Sequence, residues 1–330
     1  MISKKKECPP NKIINPKTNR CISINGITAK NIINNKKTFN YLNWENNSCY
    51  IDSLFVALFH YKSTFIKKEI LQAPLNNYGD ERLTKIGEMI RTILINIYNN
   101  KTNTCSILRK LFDKYYKYLK IKNPKIKILS SNDNWTTSQN DIFQLLDFLF
   151  IIFKIKNTTK IIDANNPPIY TNFVNMIPID FLMLDNQKKL DINSIYPSYT
   201  TRYNLDSSNF YIDKYGIKHN YYTKKTELLK APFLIIRISR NIGRIKLKTP
   251  IILSPYLKLH ENKSKLKLIS IIIHYGSNRG GHYICLIKNK LNKKWYEYND
   301  LTNRLLKIGS LDDINNNNTY ISNAVALVYA

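Results

Sequence analysis

The chain has 330 residues, enough for one large domain or two ordinary ones with an ample core. Its five cysteines are widely spaced and its first residues lack an apolar signal core, which excludes a secreted fold framed by disulfides and favours a soluble intracellular protein. The 51 basic and 23 acidic residues give a net charge of +28. Because the lysines are scattered, this charge indicates the codon bias of an A/T-rich genome rather than a nucleic-acid surface.

The first residues, 1–38, are polar, basic and poor in hydrophobic periodicity. Such a stretch is typical of a tether outside a packed core. We therefore expect a separate N-terminal segment over 1–38 and a main domain over 39–330.

Near the start of the main domain lies the stretch NNSCYIDSLFVALF, residues 46–59. Its apolar residues recur at helical spacing, which predicts a core helix with one buried stripe. Asn47 and Ser48 are helix-capping residue types, so Cys49 falls in the first turn, where the helix dipole lowers the pKa of a thiol. Taken alone, the stretch favours packing over chemistry for Cys49, since cysteine is among the most buried residue types.

The following segments divide into a helical half and a strand half. Apolar periodicity predicts helices over 80–98, 107–119 and 141–153, and the last of these is too short and too often interrupted by polar residues to cross a membrane. After Pro167 the pattern changes to short β-rich runs, at 233–238, 268–275, 282–288, 295–298 and 324–330. This order predicts an α+β fold, a helical lobe and an antiparallel β lobe with a cleft between them.

A cysteine nucleophile needs a base and a third group that orients the base. His60 lies about 16 Å beyond Cys49 along the helix, at 1.5 Å per residue, and is excluded as that base. His282 follows a Gly-containing turn at the expected first position of a strand, and Asn299 and Asp300 end the next strand. These two side chains are therefore candidates to orient the His282 ring.

The two stretches around Cys49 and His282 resemble the signature boxes of the ubiquitin-specific proteases, cysteine hydrolases with a papain-like triad. The first box, Asn-x-Gly-Asn-Thr-Cys-Tyr-x-Asn-Ser, is matched at Cys49, Tyr50 and Ser53. The second box, His-x-Gly-x-x-x-x-Gly-His-Tyr followed by Trp and Asp or Asn, is matched at seven positions: His274, Gly276, Gly281, His282, Tyr283, Trp295 and Asn299. Weaker matches at 138–149, 231–241 and 321–329 extend the resemblance over about residues 41–330.

This resemblance implies a deubiquitinating thiol hydrolase that cleaves after the Gly-Gly tail of ubiquitin through an acyl-enzyme on Cys49. It assigns His282 as general base and then acid, Asn299 as orienter, and Asp300 as an oxyanion helper or substitute orienter. His274 is expected to be structural. The implied fold is papain-like, with a helical thumb and an antiparallel β palm, and no cofactor is implied.

Many members of the family carry a zinc ribbon of two Cys-x-x-Cys pairs between the two lobes. This sequence has no cysteine between Cys105 and Cys285, so the four-ligand site cannot form. We expect reduced, zinc-free fingers over about residues 157–230.

The first box departs from the family pattern at the oxyanion donor. Trp44 stands where the family has a side-chain amide, and Asn43 and Asn47 are the candidate replacements, ahead of Asn46. Asn46 also takes the place of a glycine, and Asp52 replaces the Asn that follows in the pattern. Removing one oxyanion donor typically costs a hundred- to a thousandfold in rate, so the identity of the replacement matters.

The net positive charge of the chain also departs from the family pattern. The family binds the arginine-containing tail of ubiquitin partly through acidic residues. The resemblance thus calls for local acids in the cleft, with Asp141, Asp147 and Asp206 as candidates.

The N-terminal stretch CPPNKIINPKTNRC, residues 8–21, resembles the two-cysteine adaptor module found at the ends of large DNA virus proteins. The alternative is a plain basic tail. Together with the A/T-rich bias, the resemblance implies a virus-encoded protein in the host cytoplasm or the virion, with a viral partner for this segment.

Two other functions stay open on the sequence. One is the same chemistry on another ubiquitin-like modifier or on a viral protein. The other is a catalytically weak virion protein that binds ubiquitin or nucleic acid. The favoured partners are ubiquitin or ubiquitinated proteins, with nucleic acid less favoured and no membrane expected.

Overall fold

The computed structural model describes most of the helical and strand segments of the chain. The described residues are 8–15, 20–23, 25–26, 42–76, 78–130, 133–155, 159–163, 171–174, 177–179, 189–192, 198–204, 211–212, 218–219, 221–228, 233–242, 245–258, 265–277, 280–302 and 304–330. The chain divides into two compact units, residues 1–40 and residues 41–330.

The described part of the first unit is a small crosslinked hairpin. Strands β1 (Lys12–Asn15) and β2 (Arg20–Ser23) pair antiparallel. Cys8 and Cys21 form a disulfide, with their Cα atoms 5.7 Å apart. An isolated two-stranded hairpin is marginal in water, and a crosslink stabilises it by restricting the unfolded chain. The crosslink is a feature that the sequence analysis of residues 1–38 does not predict, and the separate N-terminal segment stays a prediction.

The second unit contains the predicted helices and three short ones that periodicity does not predict. Asp80 caps the N-terminus of α3 and Asp141 that of α5, each accepting a hydrogen bond from a backbone N–H in the first turn. The helices are α1 (Cys49–Phe59), α2 (Thr64–Ile66, continued by a π-helical turn at Lys67–Leu71), α3 (Glu81–Tyr98), α4 (Ser106–Lys122), α5 (Ile142–Ile152), α6 (Leu311–Asn315) and α7 (Asn318–Asn323).

Helix α1 is the central element of the second unit. All eleven of its residues are buried, including Asp52 and Ser53, rather than the single stripe that the spacing predicts. The reason is that α1 packs against two long strands, Lys265–Ser277 and Gly280–Lys288, and also against α3 and α5. A helix enclosed in this way has no solvated face.

The β lobe is built on an eight-stranded sheet. Its order is β19-β18-β17-β16-β20-β11-β5, with β15 paired to the far end of β16. All neighbours are antiparallel except β11 and β5. The strands are β5 (Ile177–Ile179), β11 (Leu234–Ile238), β15 (Tyr256–Lys258), β16 (Lys265–Ser277), β17 (Gly280–Lys288), β18 (Trp295–Asn299), β19 (Arg304–Gly309) and β20 (Ala324–Tyr329).

A second antiparallel sheet, of order β4-β3-β10-β7, occupies the region predicted as reduced fingers. Its strands are β3 (Thr159–Asp163), β4 (Thr171–Val174), β7 (Ser198–Asn204) and β10 (Tyr221–Leu228). Three small pairs complete the strands: β6 (Leu190–Asp191) with β14 (Ile251–Ile252), β8 (Tyr211–Ile212) with β9 (Lys218–His219), and β12 (Asn241–Ile242) with β13 (Ile245–Lys246).

The architecture is thus the predicted combination of a helical lobe and a mostly antiparallel β lobe. Among the described residues, no group of three or more His, Cys, Asp or Glu side chains is arranged to hold a metal ion. No helix in the described part of the chain is both long and apolar enough to span a membrane.

Candidate active site

The Cys49 thiol lies at the first residue of α1, where the helix meets β17. The residue is 3% exposed, and the backbone N–H groups of Tyr283 and Tyr50 lie close enough to the sulfur to favour its thiolate form and lower its pKa. Burial, and then the charge of Asp300, nevertheless raise the pKa of the thiol to about 11. The lowered pKa expected from the helix dipole is therefore wrong for this arrangement, because the cost of desolvating a thiolate exceeds the gain from the N–H groups.

This raised pKa predicts a slow reaction of Cys49 with a small alkylating agent. A pKa two units above normal leaves about 100-fold less thiolate, so iodoacetamide should react with Cys49 about 100-fold more slowly at pH 7 than with an unperturbed cysteine. The rate should rise about tenfold per pH unit up to about pH 10. Mass spectrometry measures the incorporation, with Cys49→Ser to subtract reaction at other cysteines. A rate constant independent of pH near neutrality would contradict this assignment.

The hairpin that carries His282 depends on two glycines. Gly276 on β16 pairs with Gly281 on β17, and Gly276 has a φ of +110°. A Cβ on Gly281 would lie 1.9 Å from the backbone oxygen of Tyr275, so no side chain fits there. His282 is the third residue of β17, not the first as predicted, because pairing continues to Gly280.

The ring of His282 is oriented by Asn299 from the neighbouring strand β18. The distance from His282 Nε2 to Asn299 Oδ1 is 2.9 Å. The backbone N–H of Leu301 donates to the same oxygen at 3.1 Å, which fixes the orientation of the amide. Because a carbonyl oxygen only accepts, His282 Nε2 carries the hydrogen and Nδ1 is left as the basic nitrogen.

Asp300 also faces the His282 ring, with its Oδ1 3.4 Å from Nε2. The carboxyl group is buried, at 2% exposure of the residue. Burial raises the pKa of this carboxyl, against the opposing effect of the nearby His282 ring. The structure thus brings His282, Asn299 and Asp300 together, and places Cys49 against Tyr283, the residue that follows His282.

The loop before Cys49 is held in shape by Arg109, a residue outside the motifs that predicted the site. The Arg109 guanidinium donates to the backbone oxygens of Glu45 at 2.6 Å, Asn46 at 2.8 Å and Trp135 at 2.5 Å. Arg109 is 2% exposed. The signal for it was present in the sequence, since position 109 lies at helical spacing from the apolar Phe112 on the buried face of α4.

The candidate oxyanion residues lie on this loop in different environments. Asn46 and Asn47 have φ of 44° and 62°, a left-handed conformation that asparagine tolerates. The Asn47 amide donates to the backbone oxygen of Thr137 at 3.1 Å. The Asn43 side chain is half-buried, whereas Trp44 is 43% exposed.

His274 has the structural surroundings that the sequence predicts. Its ring packs against that of Tyr283 at an interplanar angle of 34°, with centroids 4.4 Å apart, and its Nδ1 lies 3.1 Å from Lys246 Nζ. Burial, and then the charge of Lys246, lower the pKa of His274 to about 4. The ring is therefore neutral at physiological pH.

A cavity of about 410 Å³ lies between the start of α5 and the strands β11, β16 and β17. Its wall includes Asp141, Arg237, Gly280 and Tyr283. The side-chain amide of Gln139 donates to the backbone oxygen of Gly281 and so joins the helical lobe to the His282 hairpin.

A buried thiol at a helix N-terminus, and an imidazole on the adjacent strand whose Nε2 is bound by an amide, are features of papain-like cysteine hydrolases. The family model for ubiquitin carboxyl-terminal hydrolase matches residues 42–329. The chain belongs to this family of deubiquitinating enzymes and is a cysteine-type ubiquitinyl hydrolase.

Comparison with solved structures agrees with this fold. The chain is similar to a structure of the SAGA DUB module, Ubp8 with Sgf11, Sus1 and Sgf73, bound to monoubiquitin. The TM-score is 0.52 at 16% sequence identity, over 95% of this chain and 77% of the other. At this identity the likeness concerns the fold, a papain-like arrangement of helices and antiparallel sheet.

Proposed function

We propose that the protein removes ubiquitin from proteins by hydrolysing the bond after the Gly-Gly tail of ubiquitin, with Cys49 as nucleophile. The observation that carries this proposal is the His282–Asn299 hydrogen bond, because it leaves His282 Nδ1 free to act as a base. The next residue, Tyr283, has its backbone N–H close to the Cys49 thiol. Asn299 holds the imidazole in the required tautomer, and Asp300 stabilises the imidazolium that forms.

The proposed reaction has two halves. His282 Nδ1 takes the thiol proton of Cys49 while the sulfur attacks the carbonyl carbon of the last glycine, giving a tetrahedral oxyanion. The imidazolium then gives this proton to the leaving amine, and the C–N bond breaks to leave a thioester on Cys49. A water molecule, deprotonated by His282, hydrolyses the thioester and restores the thiol.

The oxyanion is proposed to be bound by the Cys49 backbone N–H and by the side-chain amide of Asn43. Asn43 is the first choice because the Asn47 amide already donates to Thr137, while Asn46 is exposed.

This assignment predicts that Asn43→Ala lowers kcat for ubiquitin hydrolysis about a hundredfold or more with little change in KM. Asn46→Ala is the matched control and should stay within about threefold of the wild type, because its amide is not used. Steady-state hydrolysis of a fluorogenic ubiquitin amide measures both constants. Equal kcat values for the two variants would remove Asn43 from the oxyanion hole.

The cavity beside β17 is proposed to hold the extended tail of ubiquitin. Two basic side chains of the cavity wall already have acceptors within the protein. Arg240 donates to four backbone oxygens, and Lys246 donates to the backbone oxygens of His274 and Gly276. Of the acids predicted for the cleft, Asp141 lines the cavity, Asp147 is exposed on α5, and Asp206 lies outside the described residues.

A second substrate class is kept open by the charges in this cavity. Arg237 lies close enough to Asp141 to lower the pKa of its carboxyl, against the larger effect of burial, so this acid of the cavity wall has a cation beside it. Another Gly-Gly-ending modifier, or a viral protein with a less basic tail, would then fit at least as well as ubiquitin. The host cytoplasm or virion remains the proposed location, on the resemblance of residues 8–21 and the A/T-rich composition.

The experiment that tests the proposed function is labelling with ubiquitin that bears a C-terminal electrophile. The wild type should form a covalent adduct at Cys49, and Cys49→Ala should form none. A matched set of probes built on other Gly-Gly-ending modifiers ranks the substrates. A folded wild type that fails to react with any probe, or a Cys49→Ala variant that reacts equally well, would refute the proposal and leave the binding protein as the alternative.

A further inference from the structure

A pair of buried carboxyl groups lies directly behind the candidate triad. Asp52, one turn into α1 from Cys49, is fully buried, and Asp300, at the end of β18, is 2% exposed. The two carboxyl groups lie close enough for each to shift the pKa of the other. Two ionised carboxylates this close repel each other, and neither has a hydrogen to donate to the other.

The hydrogen-bond partners around the pair leave three carboxyl oxygens without a donor among the described residues. The Ser48 hydroxyl donates to Asp52 Oδ2. Asp52 Oδ1 and both carboxyl oxygens of Asp300 are buried, and among the described residues none of them has a well-formed hydrogen bond from an N–H or hydroxyl group. The backbone N–H groups of Asp300 and Leu301 lie close enough only to favour the ionised form of Asp300. A proton held between the two carboxyls satisfies these oxygens.

The groups that face the pair come from four other positions. They are the thiol of Cys49 on α1, the thiol of Cys105 at the start of α4, the ring of His282 on β17 and the phenol of Tyr298 on β18. The Tyr298 hydroxyl donates to the backbone oxygen of Leu42 at 2.6 Å. Cys105 is a weak donor to Asp52. None of the four carries a fixed positive charge.

The position of the proton follows from these contacts. Burial raises the pKa of Asp52 well above its usual range, and the charge of Asp300 raises it further, against the effect of the Ser48 hydrogen bond. Asp300 has the His282 ring and the hydrogen bond from Asp52 to favour its ionised form. These contacts favour the proton on Asp52 and the negative charge on Asp300.

We propose that Asp52 is a positioning residue that stays protonated at neutral pH and donates to Asp300, so that one negative charge is held beside the His282 ring. This inference rests on the proposed roles of Cys49 and His282. A second ionised carboxylate at Asp52 would lie near the thiol and oppose thiolate formation, whereas the protonated form only orients Asp300. The amide that the family has at this position would supply the same donor.

The direct test uses infrared spectroscopy of the intact protein. The wild type at pH 7 should show the carbonyl band of a protonated carboxylic acid, shifted in heavy water, and Asp52→Asn should lack this band. Asp113→Asn is the matched control, since Asp113 accepts from the backbone N–H of Trp135 and the hydroxyl of Thr136 and has donors for its ionised form. No band in the wild type, or a band unchanged in Asp52→Asn, would overturn the proposal.

The pH dependence of stability gives a second readout that needs no activity. A carboxyl whose pKa is raised on folding destabilises the folded state once the pH exceeds the unfolded value, near 3.9. Asp52→Asn should therefore unfold at a higher midpoint than the wild type at pH 7, with the difference vanishing near pH 4. Asp80→Asn should do the opposite, because hydrogen bonds from Arg82 lower the pKa of Asp80 to about 2. A pH-independent difference for Asp52→Asn would count against the shared proton.

The kinetic test separates donation from simple packing. Asp52→Asn should keep kcat within about fivefold of the wild type, while Asp52→Leu, which cannot donate to Asp300, should lose about 10- to 100-fold in kcat with KM unchanged. Equal losses in the two variants would leave Asp52 a packing residue. If the ubiquitin probe fails but the infrared band is present, the proposed function fails while the carboxyl pair stands.

Discussion

Replacing His282 by Gln should lower kcat for ubiquitin hydrolysis by about 10⁴-fold or more, while the affinity for ubiquitin stays within about threefold. The thiol of Cys49, with a pKa of about 11, is almost entirely protonated at neutral pH, so the reaction depends on a base that removes this proton. Glutamine can still donate to Asn299 but has no basic nitrogen. Single-turnover hydrolysis and equilibrium binding, measured on the same preparation, separate the two effects.

His60→Gln is the matched control for this variant. His60 caps the other end of α1, and burial lowers its pKa to about 4, so glutamine replaces one neutral polar side chain by another. We expect its kcat to stay within about threefold of the wild type. If His282→Gln retained more than about a tenth of the wild-type rate, another group would have to serve as the base.

The elements that could be predicted from the sequence are those whose information is local. The helical spacing of apolar residues predicts α3, α4 and α5, and runs of β-forming residues between turns predict β16, β17 and β20. Helices α6 and α7 are too short for a periodic signal. In strand β19, apolar and polar residues alternate too weakly to predict a strand. The crosslinked hairpin at residues 8–23 was missed because two cysteines give no pairing without a fold.

The contacts of the candidate site also differ in whether local sequence is enough to predict them. His282 and Asn299 lie on adjacent paired strands separated by one turn, so their contact follows from the order of the strands. The contact between Asp52 and Asp300 joins residues far apart in the chain and depends on how α1 seats on the sheet. The thiol pKa depends on the same burial, which is why the local dipole argument gave the wrong direction for Cys49.

The second large effect is expected at Arg109, the residue that holds the loop in front of Cys49. Arg109→Met removes the donor to three backbone oxygens, and charge-assisted hydrogen bonds of this kind contribute about 1.5–3 kcal/mol each, without being additive. We expect the free energy of unfolding to fall by about 3 kcal/mol or more. Because the loop carries the proposed oxyanion residues, kcat should fall about a hundredfold even where the variant is folded.

Arg91→Met separates this role from the general cost of removing an arginine. Arg91 on α3 is half-buried and donates to one backbone oxygen, that of Ala73 at 2.7 Å. Its loss should cost about 1 kcal/mol of unfolding free energy and leave kcat within about threefold. Urea unfolding and hydrolysis of a ubiquitin amide, measured well below the unfolding midpoint, compare the two variants. A stable Arg109→Met variant with normal kcat would show that the loop keeps its shape without the guanidinium. A folded variant that binds ubiquitin but has a low kcat would show that the guanidinium positions the oxyanion site through the loop backbone.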